Sequence, residues 1–121
     1  MATATEAQQA PQAAYRLKAV IDVGSTSIRM VVAQVHDGGA CETLDALHQS
    51  VAIGSDTFTR GRIGRATVEE CVKVLRNFSA VLAEYRIDLQ KDVRAVATSA
   101  VREARNRDEF LDRVYMATDI N

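Results

Sequence analysis

The segment Ala19-Val20-Ile21-Asp22-Val23-Gly24-Ser25-Thr26-Ser27-Ile28-Arg29-Met30-Val31-Val32-Ala33 limits the fold more than any other. Two apolar runs meet at a tight, hydroxyl-rich turn, so they are expected to pair as a hairpin. Gly24 is expected to take the turn with φ > 0 and to let the backbone approach a ligand. Ser25, Thr26 and Ser27, with their neighbouring N–H groups, would then line a concavity suited to an anion such as phosphate. Asp22 ends an apolar strand, where a carboxylate is poorly solvated unless it meets a hydrated Mg²⁺ or a polar partner. An ordinary Gly-Ser hairpin, with Asp22 accepting local N–H bonds, accounts for the same residues.

The chain has 121 residues, enough for one domain with a modest core. Fifteen Lys and Arg nearly cancel sixteen Asp and Glu, so no global field recommends nucleic acid or an anionic membrane as partner. No apolar run approaches the roughly 20 residues needed to span a bilayer, and Met1 to Tyr15 lacks the parts of a signal peptide. A cytoplasmic protein is expected. Cys41 and Cys71 have no CxxC spacing or His partners and read as two reduced, half-buried thiols. His36 and His48 also lack ligand spacing and read as surface or strand-end residues.

Residues 1–15 read as a disordered tail, since Ala, Gln and Thr offer too little bulky apolar surface to offset ordering entropy. The domain then occupies residues 16–121. Strands are expected over Leu17 to Val23 and Ser27 to Val35, the second ending at the turn signal His36-Asp37-Gly38-Gly39. A third follows over Cys41 to Ile53, where Leu44, Leu47, Val51 and Ile53 mostly alternate. After a loop over Gly54 to Gly64, Thr67 and Glu70 have the spacing of a capping box that opens a long helix. Its inner stripe is Val68, Cys71, Leu75, Phe78, Leu82 and Tyr85.

Val93 to Ala97 is a short apolar run of the kind covered on both faces in parallel sheets. Thr98 to Arg105 continues as helix, and Asn106 with Glu109 repeats the capping spacing before an inner face of Phe110, Leu111, Val114 and Tyr115. The order is β-β-β-α-β-α, an α/β half-domain with a mixed sheet.

That order and the opening turn resemble the first part of the ribonuclease-H-like lobe of actin-like phosphotransfer proteins. More closely, the chain resembles the beginning of the exopolyphosphatase and guanosine pentaphosphate phosphohydrolase family, Ppx/GppA. Three segments carry the resemblance: Ile21 to Arg29, Gly61-Arg62-Ile63, and Ala95-Val96-Ala97-Thr98-Ser99-Ala100-Val101-Arg102-Glu103-Ala104-Arg105-Asn106-Arg107-Asp108-Glu109-Phe110-Leu111. The match covers about Ala19 to Val114. Thr26 stands where the family commonly has Asn, and Arg60 and Gly64 depart from its pattern around Gly61-Arg62. The family's catalytic glutamate and its second phosphate loop, Asp-x-Gly-Gly-Gly-Ser, would fall beyond Asn121.

The resemblance implies hydrolysis of a phosphoanhydride, the terminal phosphate of inorganic polyphosphate or of pppGpp, with Mg²⁺. It implies phosphate contacts at Gly24, Ser25, Thr26, Ser27 and Arg102, and Asp22 on the metal through water, with Arg29 and Arg62 as further candidates. No residue of this chain qualifies as the catalytic base: Glu103, Asp108 and Glu109 read as solvated carboxylates in the second helical passage. Two other classes fit the turn. Sugar and acyl kinases of the actin-like superfamily open with a similar loop, and a non-catalytic module could bind phosphate chains or a partner lobe. Lacking the rest of a lobe, such a chain is expected to be marginally stable or to self-associate through its sheet edge.

Overall fold

The computed structural model describes residues 15–121. Of the expected tail, residues 1–14 lie outside the described residues, and Tyr15 is the first residue of a strand. Four strands, β1 (Tyr15–Val23), β2 (Ser27–His36), β3 (Cys41–Ser50) and β4 (Val93–Ala97), form one sheet in the order β3-β2-β1-β4. The first two make the expected antiparallel hairpin, β3 adds antiparallel to β2, and β4 lies parallel to β1. The α/β class with a mixed sheet is therefore borne out. The strand order puts β1, which leads into the hydroxyl-rich turn, in the interior of the sheet.

The described residues hold four helices rather than the expected pattern: α1 (Ile53–Arg60), α2 (Arg65–Glu84), α3 (Ser99–Arg102) and α4 (Arg107–Thr118). The segment expected as a loop from Gly54 contains α1, because Ile53 and Thr57 lie one turn apart and are both buried. The helix expected from Thr98 to Arg105 is a single turn. Strand β3 stops at Ser50, and Val51 and Ile53 are buried beyond it. Its alternation breaks at a bulge: Val32 faces Asp45 and Ala33 faces Thr43, leaving Leu44 unpaired and exposed.

Alternation along β1 and β2 turns Ala19, Ile21, Val23, Ile28, Met30 and Val32 to a core that they share with Leu75, Phe78 and Leu82 of α2. Each fully buried Ile, Met or Leu contributes about 1.5–3 kcal/mol. The other face is open: Val20 is 51 %, Val31 40 % and Val96 46 % exposed. The expectation that β4 is covered on both faces is thus wrong for the described residues, whose core lies against one side of the sheet only. The inner face of α4 is also narrower than expected. Phe110 and Val114 are buried one turn apart, whereas Leu111 and Tyr115 point about 100° away and are largely exposed.

Neither expected capping box forms. The long helix starts at Arg65, two residues before Thr67, with Gly64 at its N-cap and no side-chain cap bond. Asp56 of α1 serves instead, its carboxylate accepting from the Gly64 N–H at 2.8 Å and from the Thr67 side chain. Asn106 does occupy the N-cap of α4, yet its side chain makes no cap bond.

Neither cysteine is half-buried as expected: Cys71 is fully buried on the inner face of α2, where burial pushes its thiol up to about 12, while Cys41 on β3 is exposed. A disulfide reagent is expected to titrate one thiol promptly in the native protein and the second only in denaturant. Prompt reaction of both would show that the inner face of α2 opens. No helix among the described residues is long and apolar enough to cross a membrane.

Candidate phosphate site

Between the last paired residues of the hairpin, Val23 and Ile28, the chain turns through Gly24, Ser25 and Thr26. The Gly24 N–H donates to the Ser27 carbonyl at 2.9 Å. Residues of three further segments hold the turn by its carbonyls. Gly54 of α1 donates to Ser25 O at 2.8 Å, Val51 to Thr26 O at 3.1 Å, and Thr98 to Val23 O through its N–H at 3.1 Å and its hydroxyl at 3.3 Å. With the carbonyls engaged, the N–H groups of Ser25 and Thr26 have no protein acceptor among the described residues. A turn that spends its acceptors on the protein and keeps its donors is electrically suited to an anion.

Gly24 does not reach this geometry by positive φ; among the described glycines only Gly39 and Gly61 have it. Its need is for space, since a Cβ there would stand 3.3 Å from the Ser27 carbonyl oxygen. Thr26 is exposed, Ser25 is half-buried and Ser27 is buried at the start of β2, so the hydroxyls are not equally open.

Asp22 lies directly across the sheet from Arg29 on one side and Val96 on the other. These positions share the open face. Asp22 forms no ion pair with Arg29, whose side chain is exposed, and its Oδ1 is buried without a hydrogen-bond partner. A buried carboxylate oxygen in that state is costly unless a cation or a donor meets it. A hydrated divalent cation fits this single carboxylate, because Mg²⁺ keeps most of its waters and takes only one or two protein carboxylates. No group of three or more His, Cys, Asp or Glu stands ready to hold a metal directly among the described residues.

Arg102 ends α3, one turn beyond Thr98, and its carbonyl accepts from Arg107 Nη1 at 3.2 Å. It is exposed and stands on the element anchored to the turn through Thr98. Arg62 is elsewhere. It lines a cleft between α2 and α4 to which none of residues 22–27 contributes. Among the sequence candidates, the structure therefore groups Asp22, Gly24, Ser25, Thr26, Ser27 and Arg29 at the hairpin end, brings the element bearing Arg102 beside it, and leaves Arg62 apart.

The sequence did not reveal α1 as the support of the turn. Its Gly54 packs on Ser25, and Thr57, buried, donates its hydroxyl to Ala100 O of α3 at 2.6 Å. One helix thereby ties the turn to the Thr98–Arg102 passage. The far end of α1 is locked too. Gly61 takes φ 79°, its N–H donates to Thr57 O, and Arg105 donates from its N–H to Gly61 O at 2.8 Å and from Nη2 to Arg60 O at 3.2 Å.

Two carboxylates in this scaffold titrate below the usual range: Asp56, chiefly through the Thr67 hydrogen bond and the Gly64 N–H, and Asp92, chiefly through Lys18 with help from Arg16. A depressed folded-state pKa gives stability that is present above the unfolded value, about 3.9, and is lost as pH falls through the folded value. Denaturation midpoints are expected to drop on acidification below about pH 4. Asp56→Asn should flatten that fall, and an unchanged slope would remove Asp56 from the account.

Comparison with known proteins gives a consistent result. The Ppx/GppA phosphatase family pattern matches residues 18–121. The chain is 35 % identical over 95 residues to a guanosine-5'-triphosphate,3'-diphosphate pyrophosphatase of Aeromonas hydrophila, covering 78 % of this chain and 18 % of that protein. It is 26 % identical over 101 residues to exopolyphosphatase 1 of Mycobacterium tuberculosis, covering 84 % and 28 % respectively. The crystal structure of the Aquifex aeolicus Ppx/GppA family member superposes with a TM-score of 0.79 at 31 % identity, over 87 % of this chain and 33 % of that one. The chain thus spans less than a third of the length of these two curated relatives.

Proposed function

The chain belongs to the Ppx/GppA phosphatase family, and on that premise we propose that it supplies the first phosphate-binding turn of a phosphohydrolase acting on the terminal phosphate of polyphosphate or pppGpp. The observation that carries this reading is the buried, unpartnered Oδ1 of Asp22, placed two residues before a turn whose N–H donors are free. The N–H groups of Ser25 and Thr26 and the exposed Thr26 hydroxyl bind phosphoryl oxygens. Asp22 holds a water of a hydrated Mg²⁺, and Arg102 meets phosphate from the adjoining helix. Mg²⁺, when bound, neutralises charge on the transferring group.

Hydrolysis also needs a base that orients the attacking water, and no group of this chain is assigned to that role. Taken alone, the chain binds phosphate without turning it over. Its test is release of orthophosphate from polyphosphate and from pppGpp, with Mg²⁺, by the chain alone and by a longer protein that contains it. Silence of the first and release by the second are expected. Consumption of ATP to phosphorylate a small alcohol or acid would favour the actin-like kinases instead. In the longer protein, Asp22→Asn should lower turnover several-fold at limiting Mg²⁺ while circular dichroism stays unchanged. Equal turnover would remove Asp22 from the site.

A further inference from the structure

The cleft that takes Arg62 away from the hairpin has a volume of about 420 Å³ and is lined by three arginines from three segments. Arg62 comes from the α1–α2 loop, Arg65 from the first turn of α2, and Arg113 from α4. Arg113 already grips both oxygens of Glu69, at 3.0 and 2.8 Å. Arg62 and Arg65 have no carboxylate partner among the described residues, and Glu109 is the other acid on the cleft. Charge on the lining is therefore positive once the Arg113–Glu69 pair is set aside.

The loop that presents Arg62 is held more firmly than a connection needs. Both backbone groups of Gly61 are bonded, to Thr57 and Arg105. Ile63 donates its N–H to Asn106 Oδ1 at 2.9 Å and accepts at its carbonyl from Asn106 Nδ2 at 2.8 Å. The Gly64 N–H goes to Asp56. Between these fixed points Arg62 is the one long side chain. Asn106 gives up the cap bond of α4 to make this clamp. A local rule is set aside here and the backbone that carries Arg62 is fixed as a result, a pattern characteristic of a binding site.

We infer that the Arg62–Arg65–Arg113 cleft is a second anion site, distinct from the hairpin turn, that takes a phosphate chain. Guanidinium forks pair with phosphoryl oxygens bidentately, and two unpaired forks suit a ligand with several linked phosphates better than a single one. Buried Ile63 and Phe110 form an apolar floor, which keeps the arginines' competition with water low on one side. This inference does not rest on the turn's function.

The test is titration of the ¹⁵N-labelled chain with inorganic triphosphate at constant ionic strength, reading each amide. Saturable shifts are expected over residues 62–67 and 106–110. Joint Arg62→Gln and Arg65→Gln substitution should weaken them about tenfold or more, while shifts at residues 24–27 persist. Glu109→Gln, at an exposed position, should tighten binding by removing the opposing charge. Shifts confined to residues 24–27 would overturn the cleft and leave the turn standing; cleft shifts that survive the double substitution would overturn it as well. Guanosine triphosphate run in parallel separates the two sources of such a ligand: equal affinity identifies inorganic phosphate chains, and tighter binding identifies a nucleotide.

Discussion

Asn106→Leu is expected to lower the unfolding free energy by about 4 kcal/mol, because two buried backbone groups lose their partner at once and each costs about 1–3 kcal/mol when left unpaired. The carboxamide accepts from Ile63 N–H at 2.9 Å and donates to Ile63 O at 2.8 Å, and both bonds are buried. Leucine fills the same volume, so water has no room to take over. The magnitude separates two accounts of this residue. As a helix cap, Asn106 would contribute about 0.5–2 kcal/mol, and Asn106→Ser would be nearly neutral because serine caps as well as asparagine. As a clamp on the loop, serine fails almost as badly as leucine, being too short to reach both groups. Urea denaturation of the two variants decides between them; a neutral serine variant would mean that the clamp has no energetic weight.

Asn106 also shows where sequence reasoning stops. Its spacing to Glu109 is that of a capping box, and the position is indeed the N-cap, yet the side chain is used 43 residues away in sequence. Periodicity reports which face of a segment is apolar, so the hairpin, the mixed sheet and the buried stripe of α2 were legible. It carries no information about a polar side chain that satisfies a distant backbone. The same limit hid α1: its buried residues are few, and a run of Gly, Ser and Thr matches a loop as well as a short helix supported from outside. Thr67 was misplaced because the acid that serves the start of α2 comes from α1 rather than from its own first turn. Leu111 and Tyr115 read as inward because apolar character alone does not specify burial, and among the described residues that side of α4 leaves them 45 % and 44 % exposed.

At the turn itself the legible part was chemical and the illegible part was mechanical. Asp22, Gly24 and the hydroxyls stand out in the chain because a polar, flexible turn interrupts two apolar strands. That the turn's donors stay free depends on which elements take its carbonyls, and those are Val51, Gly54 and Thr98. The two glycines accordingly differ. Gly24 is needed by the turn's own backbone, whereas Gly54 is needed by the packing of α1 upon it.

That distinction gives Gly54→Ala an effect on binding out of proportion to its effect on stability. An added Cβ would lie 2.9 Å from Ser25 Cβ and 3.3 Å from Ser25 O, and neither atom is the free end of a long side chain. Relief requires α1 or the turn to move. Overpacking of this kind costs about 1–3 kcal/mol, and in the first turn of α1 alanine recovers only part of the nearly 1 kcal/mol it gains over glycine in a helix interior, so the net loss of stability is about 1–2 kcal/mol. The displacement falls on the Gly54 N–H···O Ser25 bond of 2.8 Å, which fixes the direction of the neighbouring free N–H groups. Donors aimed at a phosphate lose their value steeply with misalignment, and affinity for inorganic phosphate at residues 24–27 is expected to fall about tenfold. Gly38→Ala, with nothing within 4 Å of the new Cβ, should leave both binding and stability unchanged. The measurement is a phosphate titration of the wild-type, Gly54→Ala and Gly38→Ala chains followed by amide shifts, with urea midpoints taken on the same samples. If Gly54→Ala binds phosphate as the wild type does, α1 is not what sets the turn, and the donors of Ser25 and Thr26 owe their orientation to the hairpin alone.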